Sequence, residues 1–141
     1  MSATGTEAFD KTLHITNTWL DEIMQEHGPD RQMAWHILSA VLRATRDRLP
    51  ADLAAHLGAQ LPTLVRGTYY DQYQPSKQPV TTRSRDEFLE KVAENLKFTR
   101  PVDTQDAAKS VFKVLNHHID PGQVAKVREA LPDDIRTLWP Q

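Results

Sequence analysis

Apolar residues along this chain recur at three- and four-residue steps, the mark of amphipathic helices, and nowhere alternate as in a strand. Phe9, Leu13, Leu20, Ile23 and Met24 form the first stripe, and Thr4 with Glu7 makes the S/T-x-x-E pattern that opens a helix. Gly28-Pro29 stops that helix, and Pro29-Asp30 suits the start of the next. From Ala34 to Ala44 the pattern is apolar nearly all round, which predicts a buried central helix. Arg43, Arg46, Asp47 and Arg48 mark its emergence into water. Leu49-Pro50 and Leu61-Pro62 then punctuate two short helices, the second fading at Gly67 and the Tyr69-Tyr70 pair.

Residues 71 to 83 hold Pro75 and Pro79 among polar neighbours and read as a connector. Ser84 with Glu87 opens a second stripe of Phe88, Leu89, Val92, Ala93 and Leu96, which Pro101 breaks. Asp103 is placed to cap a helix carrying Ala107, Ala108, Val111, Phe112, Val114 and Leu115. Asp120-Pro121 opens the next, with Val124 and Val127. Leu131-Pro132 opens the last, with Ile135, Leu138 and Trp139.

The two halves match at an offset of 70 residues without a gap. Val41 falls on Val111, Leu57 on Val127, Leu61-Pro62 on Leu131-Pro132, Val65 on Ile135, Arg66 on Arg136 and Tyr69 on Trp139. The shared string Leu-Pro-x-x-[Val/Ile]-Arg-x-x-[Tyr/Trp] predicts an internal duplication. The expected fold is an all-α bundle of about eight helices in one domain over residues 1–141, without a β-sheet. Unit one spans about 6–73, the connector about 74–83 and unit two about 84–139. A unit of about sixty residues covers its central helix only in part, so two units must share a core.

Composition narrows the setting. The chain has 141 residues, enough for a core without staples, and its 39% hydrophobic and 26% charged residues are globular values. Seventeen Lys and Arg against nineteen Asp and Glu leave a net charge of −2, which argues against a nucleic-acid domain. With no Cys, a disulfide, a thiol nucleophile and a cysteine zinc site are all excluded. The first residues, Met-Ser-Ala-Thr-Gly, show no leader pattern, and the longest charge-free apolar stretch, Gln32 to Leu42, is too short for a bilayer. These features set the expectation of a cytoplasmic protein without a membrane partner.

Candidate chemistry is sparse. No two histidines share H-x-x-x-H spacing, and adjacent His117 and His118 point about 100° apart on a helix, which favours a charge–dipole role. Asp10 with His14 and Asp52 with His56 read as helix-supporting pairs. None of Ser2, Ser39, Ser76, Ser84 and Ser110 lies in a nucleophile motif, and no phosphate loop or dinucleotide fingerprint exists. No catalytic residue, cofactor or metal site is therefore expected. Two features suit binding instead. One is the basic cluster of Arg43, Arg46 and Arg48, with Arg83 and Arg85 nearby. The other is Arg66 beside Tyr70 and Tyr73, residue types enriched at interfaces. Tyr69 is expected to pack inward like Trp139, and Trp19 and Trp35 to lie in the core.

In combination these strings are fairly specific. Ala40-Val41-Leu42, Arg48-Leu49-Pro50, Ala59-Gln60-Leu61-Pro62, Leu64-Val65-Arg66-Gly67, Asp120-Pro121-Gly122 and Ala130-Leu131-Pro132 together resemble the bacterial domain-of-unknown-function family 2267, over roughly residues 9 to 139. The resemblance implies the helical fold and a bacterial origin, and it carries over no catalytic residue. The leading functional expectation is a non-enzymatic interaction module that binds a protein partner or itself. An enzyme or small-molecule binder with a pocket between the units comes second, and nucleic-acid binding through the arginines third.

Overall fold

The computed structural model describes residues 3–140; Met1, Ser2 and Gln141, and so the readings that rest on them, lie outside the described residues. Among the described residues eight α-helices follow in order: α1 Glu7–His27, α2 Arg31–Arg48, α3 Ala51–Ala59, α4 Thr63–Tyr70, α5 Arg85–Asn95, α6 Thr104–His118, α7 Pro121–Ala130 and α8 Asp133–Arg136. One 3-10 turn, Pro75–Lys77, interrupts the connector, and no strand occurs among the described residues.

Local chemistry sets the helix starts. Asp30, Ser84, Asp103 and Asp120 each accept a hydrogen bond from the backbone N–H three residues on, which satisfies an otherwise orphan donor. Pro50, Pro62 and Pro132 share one extended conformation (φ −56, −56 and −55°) as N-cap residues, one position earlier than the first helical turn. Each therefore turns a corner without losing a hydrogen bond. The start of α1 differs from expectation. Thr6 is its N-cap, without a side-chain cap bond, while the Thr4 hydroxyl and amide donate forward to the Asp10 carboxylate at 2.8 and 3.1 Å.

The central helix is as the pattern foretold through Ala44, with Met33, Ala34, Ile37 to Leu42 and Ala44 of α2 all buried; Thr45 and Arg46 are buried too, against the expectation that Arg46 stands in water. Trp19 belongs to the core, whereas Trp35 is only partly buried against it. Helix α6 is the second pillar, with seven buried residues from Ala107 to Leu115. The contact scheme is reciprocal: α2 packs on α6, α3 on α7, α1 on α6 and α5 on α2. One hydrophobic cluster includes side chains from all eight α-helices. The connector is laced to the end of α2, since the Val80 N–H donates to the Asp47 carbonyl (2.8 Å) and Arg48 to the Thr82 carbonyl. Its Gln78–Pro79 peptide is cis.

The residues aligned at the 70-residue offset occupy matching environments. Val41 and Val111, Leu61 and Leu131, and Val65 and Ile135 are each at most 1% exposed. Arg66 donates to the carbonyls of Ala59 (3.1 Å) and Leu61 (2.9 Å), and Arg136 to those of Glu129 (3.4 Å) and Leu131 (2.9 Å). The last helices differ in length. Helix α8 ends after four residues in 3-10-type bonds, because Pro140 disfavours a helical Trp139.

Candidate functional site

The arginines and tyrosines singled out in the sequence gather around α4, where most of their polar capacity is turned inward. Arg46 is 3% exposed: it donates to the carbonyls of Tyr69 (2.6 Å) and Asp71 (2.8 Å) and to the Asp47 carboxylate (2.8 Å). Its guanidinium carbon also sits 5.0 Å from the centre of the Tyr73 ring, a cation–π contact. Arg46 is thus a buried clamp and does not contribute to the surface. Arg43 donates to the Thr68 carbonyl (2.9 Å), the Thr68 hydroxyl (3.0 Å) and the Asp71 carboxylate (3.1 Å). Arg66, though exposed, fastens the end of α3 through the Gly58, Ala59 and Leu61 carbonyls.

The tyrosines divide. Tyr69 is fully buried, its hydroxyl donating to the Ala54 carbonyl (2.6 Å), and burial pushes its ionisation far upward. Tyr70 lies edge-on to Tyr69 and is 36% exposed; its ring covers Gly58 so closely that a Cβ there would meet ring carbons at 2.8 and 2.9 Å. Tyr73 is partly buried, and its hydroxyl has no hydrogen-bond partner. Arg66 and Tyr70 therefore share an outward face of α4 over α3.

A polar seam between α1 and α6 was not apparent from the sequence. Glu22 of α1 receives both adjacent histidines of α6: His117 Nδ1 lies 3.0 Å from Glu22 Oε1, and His118 Nε2 contacts Glu22 Oε2. The Trp19 ring stacks on His118 at 5.3 Å. Burial pushes the Glu22 carboxyl up, but the hydrogen bonds and charges of the two histidines outweigh it and hold the group below its usual value. One turn on, Ser110 meets His27 Nε2 at 2.8 Å and also contacts Glu26, which pairs with Lys113 at 3.2 Å. The Ser110 hydrogen bond holds the Glu26 carboxyl low against the effect of burial, with Lys113 adding to it.

Ser110, His27 and Glu26 are not arranged as a nucleophilic triad. In a triad the carboxylate stands behind the histidine; here it contacts the serine, which is 4% exposed and also faces its own helix's Asp106 carbonyl at 2.9 Å. The three residues act as an interhelical clamp beside a shallow cavity of about 370 Å³. A larger groove, about 560 Å³, lies between α2, the end of α4 and the end of α5. Trp35 and Phe98 wall it, and Ser39, Arg43 and Asn95 supply polar groups. Single-helix spacing rules could not find the seam, because its partners stand up to 96 residues apart.

Fold and site together define an all-α protein with two buried pillar helices and a polar interhelical seam. The family described as "Uncharacterized conserved protein (DUF2267)" matches residues 16–138, and the chain belongs to that family. No curated protein matches it. No helix among the described residues is long and apolar enough to cross a membrane.

Proposed function

We propose that the protein is a non-enzymatic interaction module acting through protein–protein contacts, self-association foremost. One observation carries this reading: the apolar stripe of α1 runs on beyond the core. Thr16, Trp19, Leu20 and Ile23 are buried, yet Phe9 and Leu13 on the same stripe are 60% and 41% exposed. Leu64 of α4, 41% exposed, is tied alongside by the Thr12 hydroxyl, which accepts its backbone N–H. Covering such a face is favourable in proportion to its apolar area. A second copy suits it, because Glu7 and Asp10 precede Lys11 and His14 along the helix. Antiparallel pairing of two α1 ends sets acids opposite bases. The Arg66–Tyr70 face of α4, with the edge of Tyr73, is the second surface we assign to partners.

The organisation belongs to the same proposal. A single domain of two duplicated units, about 6–73 and 84–139, is supported by the matched burial and the paired arginine contacts at Arg66 and Arg136. The absence of Cys accords with a cytoplasmic setting. Light scattering across a concentration series tests self-association. The mass should rise toward that of a dimer, and Phe9→Asp with Leu13→Asp should hold the chain monomeric with its helicity intact. A strict monomer up to roughly 1 mM would overturn it.

A small-molecule binder is the second reading, favoured by the 560 Å³ groove between helices of the two halves. Nucleic-acid binding ranks last, since Arg43, Arg46 and Arg66 are all engaged within the chain.

A further inference from the structure

We propose that Glu22, His117 and His118 form a binding site for a zinc-class divalent ion, closing the α1–α6 seam. This inference stands apart from the interaction reading and does not depend on it. Each residue offers one ligand atom, and the three atoms lie within 4.8 Å of one another. Two imidazole nitrogens and a carboxylate oxygen are the donors that suit zinc and its neighbours better than magnesium or calcium. Bond lengths of about 2.0–2.2 Å put tetrahedral ligands roughly 3.3 Å apart. His117 Nδ1 and Glu22 Oε1 already stand at 3.0 Å, and no separation in the set exceeds 4.8 Å, so rotation of the exposed His117 side chain is the movement that would close it.

The surroundings also fit. Glu22 and His118 side chains are 24% and 22% exposed, while His117 is 68% exposed. The site is therefore anchored on two covered ligands and open on the side of the third. The Trp19 ring, nearly parallel to His118 at 20°, restricts that imidazole's plane by stacking. The nearest cation on α6, Lys113, is paired with Glu26 and leaves the Glu22 charge to the histidines. Three protein ligands leave one tetrahedral position for water.

Calorimetric titration of the full chain with Zn²⁺ at neutral pH tests the site. Saturable binding of one ion per chain is expected, with a dissociation constant of roughly 10 µM or tighter. His117→Ala and Glu22→Gln should each weaken it at least ~10-fold, while His14→Ala, at an exposed histidine elsewhere on α1, should leave it unchanged. Circular dichroism confirms that each variant stays helical. If His117→Ala is unfolded, His117→Gln takes its place. As a second measurement, Zn²⁺ should raise the melting temperature of the parent chain but not of the His117 variant. No saturable uptake, or uptake that ignores both ligand substitutions, would overturn the proposal.

Discussion

Burying a guanidinium removes its hydration, and the loss is tolerable only where carbonyls and carboxylates replace the water. Arg46 meets that condition with two backbone carbonyls, the Asp47 carboxylate and the Tyr73 ring. Its partners gain as well, for the Tyr69 and Asp71 carbonyls lie where the chain leaves α4. Arg46→Ala would strip them of a donor and open a void, and urea denaturation should show a loss of about 3 kcal/mol. Arg46→Lys should recover only a minor part, because one ammonium cannot reproduce the planar fork. The opposite expectation, an exposed arginine at a helix exit, follows naturally from the string Arg-Ala-Thr-Arg-Asp-Arg. What it misses is that the chain after α4 returns to cover that face. Nothing local to residues 43–48 encodes the return.

At the scale of elements, helix identity and order were legible because periodicity, caps and prolines are local signals. Asp30, Ser84, Asp103 and Asp120 cap as their positions suggest, and the Leu-Pro corners turn where they stand. The polar seam was illegible for the converse reason: Glu22, Glu26 and His27 face Ser110, Lys113, His117 and His118 only once α1 lies against α6. The seam should register in the pH dependence of stability. Glu26 titrates lower when folded than when unfolded, so its contribution is complete above its ordinary value of 4.5 and is lost as pH falls through the folded value. Ser110→Ala removes the main cause. Thermal melts should therefore show a smaller loss for this variant than for the parent between about pH 5 and pH 3. An equal loss in both would show that the Ser110–Glu26 contact is not coupled to folding.

For the whole molecule, the shared core decides how the chain unfolds. Pillars α2 and α6 bury against each other and against helices of the opposite half, so neither half can open without exposing the other's apolar surface. Tryptophan fluorescence and far-UV circular dichroism should give one coincident transition in denaturant. Two separated transitions would show that the halves are stable independently. The projecting start of α1 has the contrary property. Its first turns add exposed apolar side chains to a helix whose anchoring residues, from Thr16 to Ile23, lie further along. Substitutions at Phe9 and Leu13 are therefore nearly invisible to folding, and under the proposed self-association the contact made by that end can drift through many sequences at little risk to the scaffold. The buried pillars have no such freedom: there, a single misfit side chain threatens the whole molecule.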